Sequence, residues 1–306
     1  MSVKITILGS NSAVPSLRRN PSAQVVSIDE NLYLIDCAEG TQLQLQRFGI
    51  KPMKFKAVFI SHLHGDHFFG LVGLLSTMHL KGRTDPLHVL GPDGLEQILT
   101  MQLGFARSVM GYEIIYHTID TTKNIEIYRD KKISVSSIPL DHRIPTAGFL
   151  LRTHEKQLNI KKEFILSHNP DISWYKRIKA GEDYIDEQGL VIPNANITCR
   201  PVKPFSYAYC SDTCYNETII PIINGVELLY HEASFGNELQ HLANEHMHST
   251  AGEAATIALK ANVEQLLIGH FSNRYKTTDV LVCQAREVFA NTLAVEDGME
   301  WERSKK

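Results

Sequence analysis

The segment from His62 to His67, HLHGDH, is the part of this chain whose residue types are best suited to chemistry. It lies between a short apolar, β-prone run and an apolar run with helical spacing. Neutral imidazole and carboxylate groups are ligands for Zn²⁺ and related divalent metals. Side chains alternate in an extended segment, so His62 and His64 point the same way. The turn that follows can aim Asp66 and His67 at a neighbouring point. This spacing predicts a two-metal hydrolytic site, the alternative being a polar loop that happens to be rich in histidine.

A two-metal site needs further ligands, and three candidates stand directly after predicted strands. They are His142, Asp212 and His270. Open α/β sheets commonly place their sites at the carboxyl ends of strands. A carboxylate such as Asp212 could also bridge two cations. One such residue alone would carry little weight, but three in equivalent positions predict a shared site.

His248 is a candidate of another kind, because it stands just before a predicted helix. Thr250 and Glu253 have the spacing of a capping box at the start of that helix. Free N–H groups at a helix amino terminus favour an anion. The position suits a general acid acting on a phosphate oxygen. The alternative is an ordinary polar residue in the loop that leads into the helix.

The composition is that of a globular protein with enough apolar material for a large core, since 43% of the 306 residues are hydrophobic and 21% are charged. A net charge of −3 gives no global attraction to nucleic acid, so an RNA-binding role would need local basic patches. Five cysteines without a CxxC pair indicate a reducing compartment rather than a disulfide framework. With no signal-peptide pattern and no apolar run of transmembrane length, we expect a cytoplasmic protein with no membrane role.

Strand and helix patterns mix along the chain, which predicts an α/β or α+β class. The length of 306 residues allows one large domain or two modest ones. The composition changes at about 154–204, an irregular stretch with four prolines, which we interpret as an insertion. Its basic residues are Lys156, Lys161, Lys162, Lys176, Arg177, Lys179, Arg200 and Lys203. Composition alone favours a solvated loop with a charged face. The charged segment after Val295 is predicted to be frayed.

Several segments together resemble a known family. HLHGDH resembles the hallmark of the metallo-β-lactamase fold, and six other segments resemble ribonuclease Z, the tRNA 3′-processing endonuclease. These are Leu34–Gln42, His142 with Thr146–Phe149, Tyr209–Thr213, His231–Phe235, His248–Ala255 and Ile268–Tyr275. HLHGDH alone would indicate only the superfamily, whereas the ordered set covers nearly the whole chain and indicates this branch.

The resemblance implies a four-layer αββα sandwich of the metallo-β-lactamase type. It would form a single domain over residues 1–306, with the site at one edge and an arm projecting at about 154–204. It also implies two Zn²⁺ ions per subunit, with Mn²⁺ or another divalent metal as the alternative. The implied ligands are His62, His64 and His142 for one ion and Asp66, His67 and His270 for the other, with Asp212 shared.

The implied reaction removes the 3′ trailer from precursor tRNA, leaving a 3′-hydroxyl on the tRNA and a 5′-phosphate on the trailer. Asp66 would accept a proton from the attacking water as well as binding metal. His248, oriented by Glu232, would donate a proton to the leaving 3′ oxygen. Ser272 and Arg274 are candidates to bind a phosphate beside the site.

The implied partners are precursor tRNA and a second copy of the chain, in a homodimer whose arm serves as an exosite for the tRNA elbow. Bacterial arms of this family commonly carry a Gly-Pro-rich segment, which the corresponding stretch here, Leu166–Arg177, lacks. Basic residues and two aromatic residues remain in that stretch and could contact phosphates and stack on bases. The resemblance therefore changes our expectation for 154–204 from a solvated loop to a tRNA-binding arm.

Three alternative functions share parts of this pattern. A small-molecule phosphodiesterase or another metallo-hydrolase could have the same fold and ligands, and precursor tRNA cleavage would separate it. A di-iron redox protein on this fold usually has an acidic residue where His64 stands, and an attached flavin domain; neither appears here. A catalytically silent tRNA-binding subunit is disfavoured by the complete set of ligand residues.

Overall fold

The computed structural model describes residues 2–105, 110–201 and 203–303 of the chain. The elements of the first part are β1 (Val3–Gly9), β2 (Ala23–Ile28), β3 (Asn31–Ile35), α1 (Thr41–Arg47), β4 (Phe55–Phe59), α2 (Gly65–Phe68), α3 (Leu71–Leu80), β5 (Leu87–Gly91), α4 (Leu95–Phe105) and β6 (Ile114–Thr118). They are followed by β7 (Glu126–Arg129), β8 (Ile133–Leu140) and β9 (Thr146–Thr153).

Short elements come next, namely β10 (Asn159–Ile160), α5 (Lys162–His168), α6 (Ile172–Lys179), β11 (Tyr184–Ile185), β12 (Val191–Ile192), α7 (Asn194–Ile197) and β13 (Thr198–Cys199). The last part contains β14 (Ser206–Cys210), α8 (Ile220–Ile223), β15 (Leu228–Glu232), α9 (Gln240–His246), α10 (Ala251–Lys260), β16 (Gln265–Gly269), α11 (Asp279–Val288), β17 (Thr292–Ala294) and β18 (Glu300–Glu302). None of the helices in the described ranges is long and apolar enough to cross a membrane.

Two seven-stranded sheets contain most of the strands. The order in the first is β18-β1-β2-β3-β4-β5-β6, and in the second it is β17-β16-β15-β14-β9-β8-β7. The strands from β3 to β6 are parallel, and so are those from β14 to β17. Parallel neighbours require crossover connections, which the intervening helices supply. The parallel strands of a sheet end at the same edge, so the loops that follow them lie together.

Aromatic residues join the inner faces of the two sheets. The ring centroid of Phe59 in β4 lies 5.4 Å from that of Phe149 in β9 and 5.6 Å from that of Tyr128 in β7. Apolar residues of α1, α3 and α4 pack on the outer face of the first sheet, and α10 and α11 pack on the second. The expected four-layer αββα arrangement is therefore confirmed.

The prediction that the charged segment after Val295 is frayed is wrong for residues 296–303, and residues 304–306 lie outside the described residues. Glu300–Glu302 forms β18, which pairs antiparallel with β1 at the edge of the first sheet. Trp301 in this strand donates a hydrogen bond from its indole to Gln265 at 2.7 Å. In an edge strand one face is open to solvent, so alternate charged residues are compatible with pairing. The high charge of the segment concealed the alternation of side chains that is typical of a strand.

The chain divides into two compact units. One consists of the residues up to Leu151 and from Ser206 onwards and contains most of both large sheets. The other, Arg152–Phe205, contains the pairs β10–β13 and β11–β12 and the helices α5, α6 and α7. It has a small apolar core of its own, formed by Phe164, Ile178, Tyr184 and Ile197. The predicted insertion at 154–204 lies within this second unit.

Candidate active site

The seven predicted metal ligands meet at the carboxyl edges of four strands. His62 follows β4, His142 follows β8, Asp212 follows β14 and His270 follows β16. The remaining three are His64, which precedes α2, and Asp66 and His67 within it. The ligand atoms of His62, His64, His142 and Asp212 all lie within 4.8 Å of one another, and so do those of Asp66, His67 and His270. Residues up to 208 positions apart in the chain are thus brought to one place by the strand order.

The first group consists of His62, His64, His142 and one oxygen of Asp212. His64 Nδ1 lies 3.1 Å from His62 Nε2 and 3.4 Å from His142 Nε2. Asp212 Oδ2 lies 3.7 Å from His62 Nε2 and 3.8 Å from His142 Nε2. Tetrahedral Zn²⁺ bonds of about 2.0–2.1 Å place neighbouring ligand atoms about 3.3–3.4 Å apart. The group therefore has the dimensions of a tetrahedral ion site.

The second group consists of Asp66, His67, His270 and the other oxygen of Asp212. Asp212 Oδ1 lies 3.4 Å from His67 Nε2 and 3.3 Å from His270 Nε2. Asp66 Oδ2 is 3.6 Å from the same two nitrogen atoms. The two oxygens of the Asp212 carboxylate thus face different groups, as a residue shared by two ions requires.

Unpaired polar atoms show that this centre fits divalent cations. Among the described residues, His67 Nε2, His270 Nε2 and Asp212 Oδ1 are buried and have no hydrogen-bond partner. Leaving such an atom unsatisfied costs about 1–3 kcal/mol. All three belong to the second group and converge on one point, where a cation would satisfy them together.

The electrostatics of the centre agree with this interpretation. Burial lowers the pKa of His62 well below its ordinary value and also lowers the pKa of His142, so both imidazoles are in the neutral form that binds metal. Burial likewise opposes the charged form of His67, but Asp212, Asp66 and a third carboxylate raise its pKa well above the ordinary value. This excess of negative charge around His67 is what a bound cation would neutralise.

The third carboxylate beside His67 is Asp36, at the end of β3. Its Oδ2 accepts hydrogen bonds from His67 Nδ1 at 2.8 Å and from the Tyr209 hydroxyl at 2.7 Å, and its Oδ1 accepts one from the Ser61 amide at 2.8 Å. Such a bond fixes the ring orientation and leaves Nε2 of His67 for the metal. In the sequence, Asp36 belongs to the segment Leu34–Gln42 that resembles the family, but we predicted no role for it. The signal that could have identified Asp36 is its position directly after β3, the strand that pairs with β4.

Two other ligand imidazoles are oriented in the same way. His142 Nδ1 donates to the backbone oxygen of Met247 at 2.8 Å. His270 Nδ1 donates to Ser234 Oγ at 2.9 Å. In both rings the Nε2 atom is thereby left to face Asp212.

His248 lies beside the ligands and is held by Glu232. Its ring centroid is 5.1 Å from that of His142 and 5.4 Å from that of His270. His248 Nδ1 donates to Glu232 Oε1 at 2.7 Å. Oε1 of Glu232 also accepts from the Thr213 amide at 3.1 Å, and Oε2 accepts from the Ser234 amide at 3.0 Å. The carboxylate is fully buried, so it cannot turn away from the imidazole.

The charge state of His248 follows from this pair. Burial opposes protonation of His248, but the charge and hydrogen bond of Glu232 more than offset it and raise the pKa of the imidazole to about 9. Burial also raises the pKa of Glu232, and the charge of His248 reverses that shift to a net lowering. The pairing with Glu232 therefore favours the protonated form of His248 at neutral pH. Its Nδ1 is nearest to Glu232, which suits a proton donor, and the imidazole also lies with Asp212 and His270 in a third group of possible metal ligands.

The helix that follows His248 has the predicted start. The Thr250 hydroxyl accepts a hydrogen bond from the Glu253 amide, and the Glu253 carboxylate accepts one from the Thr250 amide. This reciprocal pair is a capping box, and it confirms the prediction for the start of α10. The cap fixes the chain direction two residues after His248.

Ser272 and Arg274 lie in the loop after His270. The Ser272 amide donates to the backbone oxygen of Ser234 at 3.2 Å, and the Arg274 amide donates weakly to the Ser272 hydroxyl at 3.4 Å. Arg274 is exposed, as a residue that meets a polyanion would be. Their role in binding phosphate stays a prediction.

Comparison with known proteins begins with the first half of the chain. Residues 3–166 match the family model described as anti-Pycsar protein Apyc1. That match ends before Asp212, Glu232, His248 and His270, so relatives of full length are more informative.

Two such relatives are proteins named Ribonuclease Z. That of Bacteroides fragilis is 42% identical over 296 residues, which cover 97% of both chains. That of Bacteroides thetaiotaomicron is 43% identical over 297 residues, covering 97% of this chain and 94% of the relative.

Solved structures agree. The short form of human tRNase Z superposes with a TM-score of 0.71 at 25% identity, covering 97% of this chain and 98% of that one. The metallo-β-lactamase fold protein YhfI of Bacillus subtilis gives a TM-score of 0.70 at 17% identity over 99% of each chain, which supports the fold. With relatives this similar over nearly its whole length, the chain belongs to the ribonuclease Z family, endoribonucleases built on the metallo-β-lactamase fold.

Proposed function

We propose that this chain is a zinc-dependent endoribonuclease that removes the 3′ trailer from precursor tRNA. The products are a tRNA with a 3′-hydroxyl and a trailer with a 5′-phosphate. The observation that carries the proposal is a two-ion ligand set beside a protonated His248 that a buried Glu232 holds. The substrate is supported by relatives of full length named Ribonuclease Z and by the likeness to human tRNase Z.

The proposed metal is zinc because five imidazoles and two carboxylates form the ligand set, with Mn²⁺ as the alternative. Two bound ions would polarise the scissile phosphate and lower the pKa of the attacking water. Asp66 is the ligand carboxylate nearest to solvent, with 12% of its side chain exposed against 4% for Asp212. It is thus the carboxylate placed to accept the proton of that water.

His248 supplies the proton that the leaving 3′ oxygen needs. Because Nδ1 is held by Glu232, the proton on Nε2 is the one available to a substrate. The 14% exposure of the His248 side chain lets a phosphodiester reach it. Glu232 keeps the imidazole charged and oriented until the transfer.

Incubation with a 3′-extended precursor tRNA tests the proposal as a whole. We expect one cut at the 3′ side of the tRNA body, a 3′-hydroxyl and a 5′-phosphate at the new ends, and about two zinc ions per chain by elemental analysis. A chelator should abolish cleavage, and added Zn²⁺ should restore it. Cleavage of bis-p-nitrophenyl phosphate without cleavage of the precursor would instead indicate a small-molecule phosphodiesterase.

Replacing the proton donor tests the role of His248. We expect His248→Ala to lower kcat for precursor cleavage by about 10²–10⁴-fold, because the leaving oxygen loses its acid, while zinc content is unchanged. Glu232→Gln should lower kcat in the same direction. His246→Ala, two residues away, is the matched control and should keep wild-type activity. Full activity of His248→Ala would remove this residue from the mechanism.

The proposal extends to the unit Arg152–Phe205 as the tRNA-binding arm. Within this unit, a cavity of about 490 Å³ is lined by Lys156, Lys179, Arg200 and Lys203, with Glu155 as the acidic residue among the described lining. Such a concave basic surface suits the phosphates of an RNA backbone. In α6 the guanidinium of Arg177 lies 3.9 Å from the ring centroid of Trp174, so this indole face is covered by an arginine rather than open to a base.

Neutralising the basic cavity should affect substrate binding and leave the chemistry intact. For Lys179→Ala combined with Arg200→Ala we expect a higher KM for precursor tRNA and an unchanged kcat for bis-p-nitrophenyl phosphate. The slope of log affinity against log salt concentration should fall by about 2, since two phosphate contacts are lost. Lys162→Ala, on α5 of the same unit, is the control. An unchanged salt slope would argue against this cavity as an RNA contact.

A homodimer is the proposed assembly. Helices α1 and α3 expose the large apolar side chains of Leu43 (70%) and Leu80 (82%). A groove of about 500 Å³ between these helices and residues 49–54 is lined by apolar residues that include Ile50 and Met53, together with polar residues that include Lys51, Lys54 and Lys81. An apolar surface of this kind is typical of a protein–protein contact.

Sedimentation velocity tests this assembly. We expect a species of twice the 34.5 kDa chain mass, and a shift towards monomer when Leu43→Lys and Leu80→Lys are combined, because charges would be buried in the contact. Leu166→Lys, an equally exposed apolar position in the second unit, should leave the mass unchanged. A monomeric wild-type protein at micromolar concentration would contradict the proposal.

The cytoplasm is the proposed location. All five cysteines are unpaired, two of them on the exposed surface, which is typical of a reducing compartment. Cell fractionation that finds the protein outside the cytoplasm would contradict this.

A further inference from the structure

One carboxylate that lies outside the candidate active site gathers hydrogen bonds from three separate segments. Asp297 Oδ1 accepts from the Ser10 hydroxyl at 2.8 Å. Its Oδ2 accepts from the amide and side-chain nitrogen atoms of Asn20 at 2.7 and 3.0 Å, and from Gln44 Nε2 at 3.2 Å. Both oxygens are therefore engaged, and the carboxylate is oriented by four donors.

The segment that carries Asp297 is itself anchored to both large sheets. The Val295 amide donates to the backbone oxygen of Ile268 in β16 at 2.9 Å. The Gly298 amide donates to the backbone oxygen of Ile7 in β1 at 2.8 Å. Asp297 thus extends from a rigid support between the sheets.

Ser10 and Asn20 are the two ends of one loop, residues 10–20. The Asn11 amide donates to the backbone oxygen of Asn20 at 3.0 Å and closes the loop at its base. Because Asp297 binds both ends, it sets where the loop stands relative to the sheets. A carboxylate suits this position because every group that it meets here is a donor.

The other side of this loop contacts the metal ligands. The Ala13 amide donates to Asp66 Oδ2 at 2.8 Å, and Ala13 has the left-handed backbone angle φ of 62°. The Ser12 amide donates to the backbone oxygen of Phe271, the residue after His270, at 3.0 Å. Asp66 Oδ2 is the atom that lies 3.6 Å from both His67 Nε2 and His270 Nε2. The loop therefore holds Asp66 and the strand end of His270 together.

We propose that Asp297 is a positioning residue for the half of the metal centre formed by Asp66, His67 and His270. The inference rests on the two-ion site proposed above. Asp297 acts through loop 10–20, which orients the Asp66 carboxylate, and it touches neither ion nor substrate. The half formed by His62, His64 and His142 is oriented by other contacts, such as that of His142 with Met247.

The isosteric variant Asp297→Asn tests the proposal. It replaces one acceptor oxygen by an NH2 donor and removes the negative charge, so the four bonds are no longer charge-assisted and the loop is held less firmly. Loss of a group that orients a metal ligand typically weakens metal binding 10–100-fold. Asp297 acts on the metal ligand only through the loop. We therefore expect zinc binding by the half formed by Asp66, His67 and His270 to weaken about tenfold.

Zinc affinity in ligand-deleted backgrounds separates the two halves. Competition with a chromogenic chelator measures it on the full chain without reference to activity. In His142→Ala, which leaves the Asp66 half, added Asp297→Asn should weaken zinc binding about tenfold. In His270→Ala, which leaves the other half, the same change should have no effect. Equal weakening in both backgrounds would overturn the proposal.

Asp130→Asn is the matched control, because Asp130 also accepts several hydrogen bonds at a turn. Its oxygens accept from the Tyr33 hydroxyl at 2.6 Å and from the amides of Lys132 and Ile133 at 2.7 and 3.0 Å. Thermal unfolding of both variants measures general destabilisation. If Asp130→Asn weakened zinc binding as much, Asp297 would have a purely structural role and the proposal would fail.

Ser10→Ala is a milder variant that removes only the bond to Asp297 Oδ1, and it decides the question if Asp297→Asn does not fold. We expect a smaller loss of zinc affinity in the His142→Ala background alone, and no loss there would overturn the proposal. Failure of the wild-type chain to hold two zinc ions would count against the two-ion site rather than against the role of Asp297.

Discussion

The buried carboxylate of Asp212 is the constraint on which the rest of this site depends. Its two oxygens face two different groups of imidazoles at 3.3–3.8 Å, and one of them has no hydrogen-bond partner among the described residues. A charged group buried in this way is stable only with compensating charge. The two proposed cations would provide that charge, and the strands that end at this edge bring the seven candidate ligands around it.

The same edge joins the two sheets. Asp36, at the end of β3 in the first sheet, accepts a hydrogen bond from Tyr209 in β14 of the second and also orients His67. The position of one sheet against the other is therefore linked to the orientation of a metal ligand. Such buried polar networks stabilise a unique arrangement when every member is satisfied. Here the unsatisfied atoms include His67 Nε2, His270 Nε2 and Asp212 Oδ1, which face the proposed ion site.

In the proposed function, chemistry and substrate recognition use different parts of the chain. The ligands, His248 and Glu232 belong to the unit that contains the large sheets, and the basic cavity belongs to Arg152–Phe205. A net charge of −3 therefore does not oppose RNA binding, because the charge that matters is local. The hydrolytic centre itself is common to metallo-hydrolases, so specificity for tRNA must come from surfaces outside it.

The sequence by itself determined which residues could bind metal. These residues were found from local patterns, which can be recognised without knowledge of the fold. The patterns are the spacing of HLHGDH, the positions of His142, Asp212 and His270 after strands, and the capping box at Thr250. The fold class followed from mixed strand and helix signals, and its four-layer form followed from resemblance. The pairing of His248 with Glu232 also followed from resemblance. Only the tertiary structure decided that Asp36 meets His67 and that Asp297 meets both ends of loop 10–20. These contacts join residues 31 to 287 positions apart, and hydrogen bonds over such separations leave no periodic signal in a single sequence. The strand at Glu300–Glu302 was missed for a related reason, because an edge strand is defined by its partner β1 and not by its own composition.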